Sequence, residues 1–230
     1  MLRTRLLTLL AVLLAPLLAG CVRDEPTVVL LVADASDASD RRVDVELFTD
    51  RVEATCDECQ VTVYDAGGDA AAQKRQARQA EADSADVLVV VPVDADDLAA
   101  VSGDDLPVVS LGTLVPGSDQ FVGLEGGAEP VRADSDLEAA REVLRGEKRS
   151  MTYVPTRAMS EQAADAAVAF LAGTPLEDGE EVAGVDSWLF EDQDVTVDSL
   201  TSVLVAQDVL TLDDLCSGDT RKRCIRMGLR

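Results

Sequence analysis

Histidine is absent from all 230 residues, and that absence removes whole classes of chemistry. There is no imidazole to activate a serine or cysteine nucleophile, to ligate a metal, or to act as a general base near neutral pH. Aromatic side chains are scarce too, at 3% with a single tryptophan, Trp188, so few platforms exist for stacking a ring. Positive charge is short: 20 Lys and Arg stand against 44 Asp and Glu, a net charge of −24. Such acidity excludes nucleic acid as a partner, because phosphates demand a basic surface, and it disfavours a chain lying flat on anionic lipid. These absences point to a protein that is not an enzyme and carries no metal or other cofactor.

What is present begins with an address. Arg3 and Arg5 precede an apolar run, Leu6–Leu18, which falls short of the roughly 20 residues a spanning helix needs. A charged start, a short apolar stretch and small residues at a cut site make an export signal over 1–20. Leu17-Leu18-Ala19-Gly20-Cys21 resembles a bacterial lipobox, in which the cysteine is acylated and becomes the mature N-terminus. On that reading Cys21 is the lipidation site and 21–26 is a tether. The protein then sits lipid-anchored at the extracytoplasmic face of the cell membrane. The plainer alternative is a secreted chain with an incidental cysteine at the cut.

The remaining cysteines fall in two local pairs, Cys56 with Cys59 and Cys216 with Cys224. In an oxidising compartment such pairs read as disulfides closing short loops. A redox Cys-x-x-Cys is the second reading, weakened because Asp57 and Glu58 inside the motif raise the thiol pKa. A four-cysteine zinc site is the third, and it would have to join elements far apart in sequence.

From Thr27 onward, apolar runs alternate with helical patterns. Val28–Val32 predicts a buried strand, and residues 41–54 carry apolar positions near helical spacing. Val61–Tyr64 predicts a second strand, after which Asp69 caps a helix running to about Ala82. Val87–Val91 is an unbroken β-branched and leucine run. A short helix over Asp94–Val101 and strands over Pro107–Leu111 and Gln120–Leu124 follow. Residues 125–133 read as a linker, then a helix spans Ser135–Arg145, a strand Met151–Val154, a helix Met159–Leu171 and a strand Val185–Phe190. Patterns over 195–206 and 211–215 are weaker, and a basic tail, Arg221–Arg230, closes the chain. Near-continuous apolar strands alternating with helices predict an α/β fold with a doubly wound parallel sheet. Such sheets bind ligands at the carboxyl ends of their strands, so the candidate rim comprises Asp34–Arg42, Asp65, Asp94 and Gly112-Thr113.

Ala85-Asp86-Val87-Leu88-Val89-Val90-Val91-Pro92-Val93-Asp94 resembles the D-V-L-V-x-x-P-V-D strand of type 1 periplasmic sugar-binding proteins. These are the substrate-binding components of sugar ABC importers, and the xylose-type branch is the nearest in pattern. The run from Cys56 through Tyr64-Asp65-Ala66 to Asp69 and Gln73 resembles that of actinobacterial members. Leu106–Ser110 matches their I-P-V-I strand. Asp134–Glu147 with Met151-Thr152-Tyr153 resembles a late block, and Leu210–Cys216 with Cys224 resembles the family's C-terminal end with its paired cysteines.

Two departures accompany the resemblance. Family members close two α/β lobes on a sugar, whereas here the strand at Gln120–Leu124 runs almost directly into the late block. The second lobe is therefore expected to be largely absent, with 27–124 forming the first lobe, 125–133 replacing the second, 134–190 completing the first, and 191–230 forming a disulfide-bearing tail. Family contacts also change: Asp40-Arg41 stands where an Arg-Trp pair is expected, Gly112-Thr113 in place of Asp-Arg, and Leu124-Glu125-Gly126 in place of Phe-Asp-Asn. Asp134 matches the acidic residue of a late Gly-Gln-Asp motif. The resemblance and the rim position together nominate Asp40, Arg41, Asp94 and Asp134 as ligand-binding residues. The implied partners are a monosaccharide and an ABC permease, with sugar binding weak or lost. The alternative is a tethered extracytoplasmic interaction module without a transport role.

Overall fold

A computed structural model describes residues 25–37, 42–99, 101, 106–127 and 136–229. The first strand, β1 (Thr27–Val32), is buried from Val28 to its end. Because successive strand side chains point to opposite faces, Val28, Leu30 and Val32 enter one apolar cluster while Val29 and Leu31 enter another. The same alternation recurs in β3 (Val87–Val90), where Val87 and Val89 take the first face and Leu88 and Val90 the second. A strand that is apolar on both sides must be covered on both sides.

The cover comes from helices wound in both directions. On the first face lie α1 (Val45–Thr55), which buries Phe48 and Val52, and α5 (Thr156–Leu171). On the second lie α2 (Ala70–Ala82) and the short α3 (Ala95–Leu98). The remaining strands of the sheet are β2 (Gln60–Asp65), β4 (Val108–Leu111), β5 (Gln120–Leu124), β7 (Glu180–Val182) and β8 (Val185–Phe190). Their order is β2-β1-β3-β4-β5-β8-β7, parallel throughout except that β7 runs antiparallel along the edge of β8. The strand order reverses at β1, so the loops after β1 and β3 depart to opposite faces and leave a crevice between them.

Helix starts follow the capping chemistry that the sequence predicts. Asp69 accepts from the backbone N–H groups of Ala71 and Ala72 at 2.8 and 3.1 Å, satisfying donors that the first helical turn leaves open. Asp44 does the same for Leu47 at 3.0 Å. Cys56 and Cys59 form a disulfide between α1 and β2.

The chain leaves this sheet and returns to it. Residues 156–190 join the sheet through α5, β7 and β8, but 136–153 do not complete it. Helix α4 (Asp136–Arg145) and strand β6 (Ser150–Tyr153) pack instead with the C-terminal segment. There β6 pairs antiparallel with β9 (Gln193–Thr196), and α4 covers them with Ala139, Ala140, Val143 and Leu144. A π-helical turn at Thr201–Val205, α6 (Leu212–Leu215) and α7 (Arg221–Met227) finish this second body, stapled by the Cys216–Cys224 disulfide. The reason is complementarity of faces. Each of α4, β6 and β9 has one apolar side, and these bury against one another rather than against a sheet whose two faces are already covered. The basic tail, read from sequence only as a charged end, is helical over Arg221–Met227 because its Cys224 is drawn inside.

One buried polar side chain ties the sheet to its rim. Gln73 of α2 is fully buried; its Nε2 donates to the carbonyl of Val91 at 2.8 Å and its Oε1 accepts from the N–H of Val93 at 2.8 Å. The carboxamide thus replaces two ladder bonds that the backbone loses where β3 ends. Gln73→Ala leaves the buried Val91 carbonyl and the half-buried Val93 N–H without these partners and is expected to destabilise the fold by about 2 kcal/mol, read as a lowered urea midpoint at unchanged slope.

Candidate functional site

Among the described residues, Arg42 crosses the crevice at the strand-order reversal. Arg42, just before α1, donates from Nη1 to the carbonyl of Pro92 in the loop after β3 at 2.7 Å. Its aliphatic stem lies over Gly112 at the end of β4. A Cβ at residue 112 would stand 2.5 Å from Arg42 Cγ, and the backbone there has φ +79°. Glycine at 112 therefore permits both the turn and the close passage of the arginine. This guanidinium and its stem join the loops after β1, β3 and β4.

The acidic rim residues are occupied with local structure. Asp34 accepts from the hydroxyl and the N–H of Ser36 at 2.6 and 2.9 Å. Asp65, at the end of β2, accepts from the N–H groups of Ala35 and Gly67 at 3.1 and 2.9 Å. Asp94 caps α3 through the N–H groups of Asp96 and Asp97 at 3.0 and 3.3 Å. Each does what a short carboxylate at a turn does by default. Asp40, Arg41, Asp134 and Cys21 lie outside the described residues. Trp188, the sole tryptophan, packs with Phe190 against the main core.

The polar groups that converge lie elsewhere, where the two bodies meet. A cavity of about 250 Å³ is lined by Val43 and Asp44 at the start of α1, Asp136 at the start of α4, Tyr153 and Val154 at the end of β6, Thr156 and Arg157 at the start of α5, and Val209 from the C-terminal segment. Its floor is pinned. The N–H of Asp44 donates to Ser160 Oγ at 2.8 Å, and that hydroxyl donates to the carbonyl of Thr156 at 2.8 Å. Farther along the same helix pair, Arg51 grips Asp165 with two bonds of 2.7 and 2.9 Å, and the carboxylate holds the Arg51 guanidinium pKa up. Two aspartates, an arginine, a threonine and a tyrosine thus border one small space, and one of the aspartates, Asp44, also caps α1. That donor and acceptor set suits a small, hydroxyl-rich ligand.

Sequence reasoning missed Asp44, Asp136, Tyr153 and Arg157. Tyr153-Val154-Pro155 is where the chain passes from one body to the other, and no periodicity marks such a passage. Asp136 is two residues beyond Asp134, the residue nominated from the late motif. Among the described residues, no group of three or more His, Cys, Asp or Glu is placed to hold a metal ion, and no helix is long and apolar enough to cross a membrane.

No protein-family model and no curated protein matches the chain. Solved structures do. An ABC transporter solute-binding protein from Clostridium phytofermentans with bound β-D-glucose superposes with TM-score 0.64 at 12% identity, covering 82% of this chain and 99% of that one. A carbohydrate transporter solute-binding protein from Chloroflexus aurantiacus in complex with D-glucose gives TM-score 0.65 at 11% identity, over 82% and 97% of the two chains. A structure of the TorS sensor domain–TorT complex matches with TM-score 0.54 at 10% identity, over 75% and 92%.

Two outcomes are expected at the rim. Gly112→Ala forces Arg42 off its path and strains a left-handed backbone, costing roughly 1–3 kcal/mol. Combined with Arg42→Ala, the losses fall short of additive, because both changes remove the same contact; thermal melts of the four proteins check this. Separately, the hydroxyl and N–H of Ser36 hold the Asp34 pKa below its ordinary 3.8. The stabilisation this gives the loop is present above pH 3.8 and is lost as pH falls through the lower folded value. Ser36→Ala should bring the Asp34 carboxyl midpoint back towards 3.8 in a carbon-detected NMR titration.

At such low identity these superpositions describe architecture alone, and that architecture is clear: this chain has the periplasmic-binding-protein-like α/β fold of ABC transporter solute-binding proteins.

Proposed function

We propose that this chain is an extracytoplasmic solute-binding protein that takes a small polyhydroxylated ligand, a monosaccharide or cyclic polyol, in the cavity between its two bodies and serves an ABC permease. The observation that carries the reading is the convergence of Asp44, Asp136, Thr156 and Arg157 on one small cavity. Carboxylates and a guanidinium are the partners that hold neighbouring hydroxyls in pairs. Solved proteins of the same fold carry glucose. The ordered motifs shared with xylose-type sugar-binding lipoproteins support the same class.

On this reading the second body is a reduced second lobe. Residues 25–127 and 154–192 make up less than two thirds of the chain, so a superposition covering 82% of it extends beyond them. Cys21 is the acylated tether. The grip on ligand is weak, because the only indole is committed to the core and Tyr153, itself buried, is the one aromatic side chain lining the cavity. A second reading, a tethered module that binds another protein, is favoured by the fold shared with the TorS–TorT complex.

Calorimetric titration against pentoses, hexoses and inositols tests the first reading. Saturable binding is expected with at least one of them. Arg157→Ala should weaken it about tenfold or more, the worth of a charge-assisted bond. Heats indistinguishable from dilution across the panel would exclude it and leave the protein-binding reading.

A further inference from the structure

The acidity of this chain is not uniform. Residues 221–230 hold five of its 20 Lys and Arg and neither Asp nor Glu. Several cations elsewhere are neutralised. Arg145 meets Glu138, Glu147 and Asp219 at 3.0, 2.9 and 3.2 Å, Lys148 meets Glu142 at 2.7 Å, and Arg51 meets Asp165. In α7, Lys222 and Arg226 make no ion pair with the described residues. They flank Ile225, which is 55% exposed. At spacings of three and four residues these side chains share one helical face. Cys224 lies on the opposite side, fully buried and bound to Cys216. The disulfide therefore holds the cationic, aliphatic face outward.

We propose that this face of α7 docks on an anionic lipid surface. Cations beside an exposed aliphatic residue match the two layers of a membrane interface, charged headgroups above and acyl chains below. A second copy of the chain is the poorer occupant. Seven helical residues extend only about 10 Å, and one face of such a helix falls far short of the roughly 800 Å² per partner of a stable protein interface. A lipid surface needs no such area when the chain is already held beside it, as acylation of Cys21 under the proposed function would do. The acidic sheet body does not prevent contact. Charges farther from the surface than about 8 Å are screened at physiological salt, and Asp219, the acid nearest α7 in sequence, is engaged by Arg145.

The chain has three lysines, Lys74, Lys148 and Lys222, which makes the test site-resolved. The full-length protein is reconstituted in vesicles of phosphatidylcholine alone or with added phosphatidylglycerol, and amine acylation is followed residue by residue by mass spectrometry. Relative to Lys74, Lys222 is expected to react about fivefold or more slowly on the anionic vesicles, the contribution of one interfacial cation. Salt near 1 M, where the Debye length is about 3 Å, should abolish the difference. Arg226→Glu should remove the protection and Ile225→Ser should reduce it, with the Cys216–Cys224 bond confirmed intact in each. Equal Lys222 rates on both vesicles would overturn the proposal. So would protection on neutral vesicles that grows with protein density, which would assign the face to a second copy.

Discussion

The packing of α5 on α1 is the contact on which the rest of the molecule depends. Helix α5 is the first element after the chain's excursion into the second body, and its position decides where that body sits. The contact face is made of small residues. Ala163, Ala164, Ala166 and Ala167 are all fully buried, which lets the helix lie close to both α1 and the sheet. Polar clasps then fix its rotation and its level along α1: Ser160 against the Asp44 N–H at one end, and Asp165 against Arg51 farther along. With α5 placed, Tyr153 and Val154 just before it are placed too, and the cavity between the bodies has its floor. A change that loosened this pair would open the cavity without touching a residue that lines it.

Where a strand is apolar on both faces, local sequence is enough to identify it. Gln120–Leu124, buried throughout, forms over the limits read from sequence; Val185–Phe190 does so too although Asp186 on it is exposed, and Asp69 caps its helix as expected. Edge elements carry no such signal. Strand β7 reads Glu180-Glu181-Val182, too polar and short to stand out, and exists because it pairs with β8. Helix α7 has no apolar period and is held by a buried half-cystine. The pairing of β6 with β9 joins segments that no local pattern relates.

The site was less legible still, for a physical reason. A carboxylate at a turn or helix start bonds the nearest backbone N–H; Asp34, Asp65 and Asp94 do so on the rim, and Asp44 does so beside the cavity. The groups that gather in the cavity are brought there by helix starts from three different parts of the chain. Asp44, Asp136 and Arg157 each look, in sequence, like ordinary polar residues at the beginning of a helix. Arg42 and Gly112 both belong to the rim read from sequence; that the arginine passes over the glycine is seen only in the fold.

The route of the chain between its two bodies constrains how the protein can be assembled. Gln120 of β5 pairs with Asp186 of β8, and the second body's α4 and β6 lie between them in sequence. As the chain emerges N-terminus first, five parallel strands are complete while the edge of β5 still has no neighbour. That edge stays open until β8 has been made, and an open strand edge is a template for pairing with another chain. The interval is longer than local helix and strand formation would demand, because closing so long a loop precedes the contacts that reward it. A molecule with this topology is most vulnerable to self-association not when unfolded but when two thirds built.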